Sequence, residues 1–237
     1  MALSEVLEVQ FEGWTATPRL PFVLSGNAVC LPTPTYSLLL GVIGCCLGRV
    51  VSHTEVDFGF HYRYWNTSYD MEKRQRLEHD GRKVKPHAKG SDVHNREFHV
   101  ISAPGPDGNL QSCLTLWLNR TDWADYFRYP VGTPALGRSQ DLLTVRKNSV
   151  RIVPVRPVEE AALRGCLLPF SNGLPAAGQL VQLAEAYEEE ERIGGGRKPV
   201  NPRIFVSVPD NAQPTTLRLD NLYQTEEGSN FYLHTWQ

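Results

Sequence analysis

Between Lys73 and Lys89 the chain carries seven basic residues, Lys73, Arg74, Arg76, Arg82, Lys83, Lys85 and Lys89, against two acids, Glu78 and Asp80. Almost none of these side chains is apolar, so the stretch cannot lie in a core, and any fold must carry it on the outside. The whole chain has 24 basic and 26 acidic residues, which leaves 17 against 24 elsewhere. Positive charge is thus gathered into one short segment of a mildly acidic protein. Such a segment can neutralise several phosphates, the footprint of a nucleic-acid contact. A solvated loop has the same composition. What flanks the run separates the two.

The flanks alternate. Leu7, Val9 and Phe11 interleave with Glu8, Gln10 and Glu12, the period of a half-buried strand. After a loop from Gly13 to Leu31, Thr33 is the expected N-cap of a helix with Pro34 in its first position, running to about Leu47 and stopped by Gly48. Gly41 and Gly44 inside it cost roughly 1 kcal/mol each relative to Ala, which suggests close approach of the helix to a sheet or a ligand. Val56, Phe58, Phe60, Tyr62 and Tyr64 form one face of a second strand, with Asp57, His61 and Arg63 on the other. The basic run follows, then Glu97 to Ile101, a Pro-Gly turn at 104–109, a strand through Leu114, Leu116 and Leu118, and a short helix from Thr121 to Phe127. Strand, helix, strand, strand, helix is the opening of a ferredoxin-like βαββαβ unit, and the basic run falls between its second and third strands as an elongated hairpin.

The second half reads as a strand near Val145–Val155, a helix from Ala176 to Ile193 with an apolar stripe at Leu180, Leu183, Ala184 and Tyr187, and three strand-like runs at Ile204–Val208, Leu217–Leu222 and Asn230–Trp236. The acids Glu188 to Glu191 oppose the macrodipole of that helix and should fray its end. The expected class is α+β, a ferredoxin-like domain over residues 1–145 with a hairpin at about 66–97, followed by a β-rich extension over 146–237 with one helix.

At 237 residues and 41% hydrophobic, the chain can bury a substantial core. Its longest apolar stretch, Tyr36 to Leu47, falls short of a membrane span and is broken by glycines, and no secretory leader is evident, so a cytoplasmic protein without membrane contact is expected. The five cysteines form no C-x-x-C pair and read as reduced, buried small hydrophobes, with no metal or other cofactor implied. The sequons at Asn66 and Asn119 are then coincidental.

Three functions compete: an RNA-binding assembly subunit gripping through the basic hairpin, a metal-independent endoribonuclease, and a protein-interaction module with a solvated loop. The seven histidines form no H-x-x-x-H or H-E-x-x-H pattern. His87 and Tyr36 are the best candidates for catalytic use, but a histidine in a basic RNA-binding loop more often stacks on a base or meets a phosphate.

Several motifs together resemble a known family. The N-terminal strand, the Arg19-bearing loop and Leu31-Pro-Thr-Pro-Thr-Tyr-Ser-Leu-Leu-Leu-Gly-Val-Ile-Gly44 are similar to the opening of the Cas five family, CRISPR-associated RAMP proteins of type I effector complexes. Asn95-Arg-Glu-Phe98 resembles the strand re-entry after that family's thumb hairpin, and Tyr129-Pro-Val with Leu136-Gly-Arg-Ser139 resembles a later block. The resemblance covers residues 1–145 and is nearest to the subtype I-B branch. It implies a Cascade subunit that holds the 5′ handle of the CRISPR RNA, joins the backbone and large subunits, and meets target DNA only through the complex. Some members process precursor RNA themselves; no convincing triad aligns here, so a non-enzymatic role is expected.

The residues expected to hold RNA are Arg74, Arg76, Arg82, Lys83, Lys85, His87 and Lys89 on the hairpin and Tyr64 as a stacking platform beside Tyr62 and Trp65. Arg19 joins them from the N-terminal loop, Thr33, Thr35 and Tyr36 at a helix N-terminus with free N–H groups, and Arg138 as a phosphate clamp.

Overall fold

The computed structural model describes residues 3–21, 27–105, 108–190 and 196–236. The protein is mostly β-strand. The first half runs β1 (Glu5–Gly13), β2 (Thr15–Ala16), β3 (Asn27–Ala28), α1 (Tyr36–Leu47), β4 (Phe58–Tyr62), β5 (Asn66–His79), β6 (Val84–Val100), β7 (Leu114–Leu118) and α2 (Ala124–Arg128). The second half is all strand among the described residues: β8 (Leu143–Val145), β9 (Arg151–Pro157), β10 (Ala161–Leu163), β11 (Cys166–Pro169), β12 (Gln179–Glu190) and β13 (Gly196–Val208). It closes with β14 (Thr215–Leu217), β15 (Leu222–Thr225) and β16 (Asn230–Tyr232).

The central sheet has the order β16-β15-β9-β1-β7-β4, with β8 also on β1, and every pairing is antiparallel. It curls until its ends meet: Phe58 of β4 bridges His234 just past β16, and the His234 N–H donates to the Phe58 carbonyl at 3.1 Å. Gly59 permits this closure, because a Cβ there would lie 2.5 Å from the Tyr232 carbonyl oxygen. Alternation puts Leu7, Val9, Phe11, Phe58, Phe60, Tyr62, Leu114, Leu116 and Leu118 on the inner face, all buried. Against them pack Tyr36, Leu39, Ile43 and Cys46 of α1, with Phe205, Val181 and Leu183 from a second sheet of order β11-β13-β12.

Helix α1 begins one step later than the sequence suggests. Thr35, not Thr33, is its N-cap, accepting from the Leu38 N–H at 3.2 Å, so Pro34 precedes the helix. Thr33 is fully buried and its hydroxyl is spent on Ser207 at 2.8 Å. Gly48 ends the helix in the left-handed region at φ 71°.

The helix expected over 176–193 is instead the strand β12 within its described part. Val181, Leu183 and Glu185 point inward, while Leu180 and Tyr187 of the supposed stripe are 59% and 43% exposed. Pairing with β13 overrides the helical spacing and sets Glu188 opposite Lys198, a cross-strand neighbour of opposite sign.

Candidate nucleic-acid interface

β5 and β6 form a hairpin that runs past its own sheet, where β6 also pairs with β2 and β3. At about 3.3 Å per residue, the 14 residues of β5 span roughly 45 Å. At the tip, the Asp80 carboxylate accepts from the Arg82 and Lys83 N–H groups, both at 3.0 Å, and Gly81 takes φ 90°. These N–H donors, Lys83 first, hold the Asp80 carboxyl below its ordinary pKa. The turn thereby presents Arg82, Lys83 and Lys85 to solvent. Lys85 lies 3.5 Å from Glu78 and 3.9 Å from Asp80, and His87 lies 3.9 Å from Glu78. Exposed pairs of this kind contribute at most about 1 kcal/mol, so a phosphate can compete for the lysine. Arg76 is exposed on β5. The side chains of Arg74 and Lys89 lie outside the described residues.

The foot of the hairpin is wired differently. Asp70 and Glu72 alternate on the β5 face that turns toward Arg138, whose guanidinium reaches Asp70 at 3.2 Å, Glu72 at 3.4 Å and Asp141 at 3.1 Å. Arg96, opposite Asp70, is buried and pairs with Glu72 at 3.0 Å. Arg138 also lies over the Phe98 ring at 5.3 Å. Asp141 is fully buried; burial raises its pKa, but the bonds from Arg138 together with those from threonine hydroxyls, Thr15 among them, hold it below the ordinary value. Arg138 is thus the counter-ion of a buried carboxylate, and leaving it for a phosphate would strand that charge.

Arg138 lines a cleft of about 350 Å³ together with Arg19, Thr35, Arg96, Glu72 and Gly137. Three of the expected residues, Arg19, Thr35 and Arg138, are thus brought together beside the hairpin's foot. Gly137 makes the approach possible at φ 122°, since a Cβ there would meet the Thr17 carbonyl oxygen at 2.4 Å. Two other expected residues do not reach a surface. Thr33 is buried, as described, and Tyr36 is 2% exposed, with its hydroxyl donating to the Leu167 carbonyl at 2.5 Å and its ring stacked on His234. The aromatic faces around Tyr36 leave no room for a base, and burial pushes its phenol well above the usual pKa.

Tyr64 is half-buried and stacks on His99 at 3.8 Å, while Tyr62 is fully buried with its hydroxyl on His99 Nδ1 at 2.9 Å. Among the exposed aromatics, Trp65, 48% exposed under the Arg63 guanidinium, precedes the hairpin and Tyr69, 71% exposed, lies on it. Tyr69 and Arg96 escaped the sequence reading. Tyr69 alternates with polar neighbours in β5, a signal that existed; nothing local marks Arg96 as an ion-pair residue.

A larger cleft, of about 700 Å³, opens on the outer face of the central sheet with Arg63, Arg146, Arg151 and Arg164 in its wall. Arg151 is tied to Glu8 and Glu227, and Arg164 lies 3.3 Å from Asp210.

No helix among the described residues is long and apolar enough to cross a membrane. No protein-family model and no curated protein matches the chain. Among solved structures sixteen chains match. One belongs to a "CRISPR RNA-guided surveillance complex", with a TM-score of 0.51 and 17% identity over 90% of this chain and 91% of that one. At that identity the likeness is one of fold, and it extends across nearly the full length of both chains.

Proposed function

We propose that the protein is a non-catalytic RNA-binding subunit of a type I CRISPR effector complex, holding the 5′ handle of the CRISPR RNA. The observation that carries this reading is the division of charge along the hairpin. Its foot is neutralised by Asp70, Glu72 and Asp141 against Arg96 and Arg138, whereas its tip offers Arg82, Lys83 and Lys85 to solvent. A hairpin built only as a solvated loop has no need of so rigid a mount. The fold shared with a chain of a CRISPR RNA-guided complex supports the same reading.

The finer assignment is a ferredoxin-like RAMP domain of the Cas five type, of subtype I-B. The antiparallel order β9-β1-β7-β4, with α1 after β1 and α2 after β7, supports a βαββαβ unit. In such a subunit the handle lies along the hairpin, with Trp65 and Tyr69 as stacking surfaces, and the backbone and large subunits of the complex are the protein partners. Burial of Tyr36 supports binding over endonucleolytic cleavage.

The test is RNA titration across a range of salt. If about four phosphates are contacted, log K should fall against log salt with a slope near −3 for single-stranded RNA. The triple variant Arg82→Glu, Lys83→Glu, Lys85→Glu should bind more weakly while melting like the parent. A slope near zero, or a variant that binds as well as the parent, contradicts the grip. Incubation with precursor RNA and a chelator should yield no specific cut; a site-specific cut abolished by His87→Ala would make the protein a ribonuclease.

A further inference from the structure

We propose that Cys30, Glu97 and His99 form a Zn²⁺ site that fastens the N-terminal segment to the foot of the hairpin. One donor atom from each, thiol sulfur, carboxylate oxygen and ring nitrogen, lies within 4.8 Å of the other two. Cys30 stands 67 positions before Glu97, so no local ligand spacing joins the three in the sequence.

The site is built on regular structure. Glu97 and His99 alternate on one face of β6. Cys30 follows β3, which pairs parallel with β6 through Asn27 and Ala28, and Cys30 itself bridges Arg19. Cys30 and His99 are buried and Glu97 is partly so. The His99 ring is fixed on both counts that matter to a ligand: it stacks on Tyr64 at 3.8 Å, and the Tyr62 hydroxyl holds Nδ1 at 2.9 Å, which leaves Nε2 to coordinate. An outer hydrogen bond of this kind commonly orients a metal-bound histidine.

The donor set selects the metal. Sulfur, imidazole nitrogen and carboxylate oxygen suit Zn²⁺, whereas Mg²⁺ and Ca²⁺ demand oxygen. Tetrahedral donors at about 2.0–2.3 Å from zinc lie roughly 3.5 Å apart, so no pair of the three has to close in by more than roughly 1.3 Å. The Cys30 thiol now donates to the Glu97 carbonyl oxygen at 3.1 Å. On binding, that proton passes to the buffer and the thiolate takes the metal, with no change of oxidation state. Three protein ligands leave a fourth position for water. Nothing in this site depends on the RNA reading.

Co²⁺ titrated into metal-stripped full-length protein is the test. One equivalent should raise a thiolate-to-cobalt charge-transfer band with the strong visible bands of a tetrahedral site, and Zn²⁺ should displace it. Cys30→Ser should abolish the charge-transfer band, while Cys45→Ser, which removes the most accessible thiol, should keep it. Glu97→Gln should keep the band and weaken Zn²⁺ binding at least tenfold, and Tyr62→Phe should weaken it about tenfold. Zn²⁺ should raise the melting temperature of the parent. No band in the parent, or a band that survives Cys30→Ser, overturns the site. Should Cys30→Ser fail to fold, the parent and Glu97→Gln titrations decide alone: equal affinities overturn it.

Discussion

An added Cβ at Gly44 would lie 2.7 Å from the Arg49 carbonyl oxygen, where the chain folds back after α1; at Gly41 it would meet nothing within 4 Å. The two glycines share a helix and a spacing of three residues, yet only one is held by packing. Gly44→Ala should destabilise by about 1–3 kcal/mol, because backbone has to move. Gly41→Ala should stabilise by about 0.5–1 kcal/mol through helix propensity alone. Denaturant melts of the two variants check both signs; a destabilised Gly41→Ala would mean that its exposed face is covered by something else.

His234 has no exposure, stacks on Tyr36 at 3.9 Å, and makes no hydrogen bond from either ring nitrogen. Glu185 lies 3.6 Å away, but Arg203 at 3.0 Å and Asn201 at 3.1 Å already satisfy that carboxylate. Burial therefore dominates and lowers the His234 pKa to about 3. The unfolded chain takes up this proton near pH 6.5 and the folded chain only near 3, so the stability tied to His234 is complete above pH 6.5 and drains away as pH falls toward 3. Between pH 7 and 5 the loss should be about 2 kcal/mol. His234→Phe keeps a ring on Tyr36 and should lose that much less over the same interval in urea melts at the two pH values. Equal losses would show that His234 does not titrate as described.

At the scale of elements, the hairpin's mount carries the clearest expectation. Arg138→Ala leaves Asp141 buried without its cation and should cost about 3–5 kcal/mol in stability. The salt slope of RNA binding by the folded fraction should not change, since Arg138 is committed to carboxylates. A slope reduced by about 0.7 with stability intact would return Arg138 to the RNA contacts.

Elements whose signals are local were legible in the sequence: the alternation of β1 and β4, the Gly48 stop of α1, and the hairpin around the basic run. Thr33 and Thr35 both have the chemistry of an N-cap, and what separates them is Ser207, which lies far along the chain and claims the Thr33 hydroxyl. β12 departs from its local pattern for a related reason. Leu180, Leu183, Ala184 and Tyr187 fit a helical stripe, but β13 supplies a long partner, and the inward place of Glu185 makes sense only once Arg203 and Asn201 of that strand reach its carboxylate. Polar residues whose partners are distant are unreadable locally, which is also why Arg96, and the Arg138 that looked like a phosphate clamp, were not seen as one network.

At the scale of the molecule, the chain after β16 returns to β4 and closes the central sheet through Phe58 and His234, with Trp236 donating to the Val56 carbonyl at 2.7 Å. The C-terminal strands are thus part of the body that carries the hairpin. That body offers a basic tip at the end of a long lever, a cleft at its foot and a second Arg-lined cleft on the sheet. On the proposed reading, these are the surfaces along which an extended strand of RNA would lie. The most direct test is to purify the tagged protein from cells that also express its genomic neighbours and a CRISPR array, and to sequence the 5′ ends of whatever RNA comes with it. The account predicts one short RNA species with a uniform repeat-derived 5′ end, lost or greatly reduced in the Arg82→Glu, Lys83→Glu, Lys85→Glu variant. Recovery of no RNA, or of fragments with scattered 5′ ends, would contradict it.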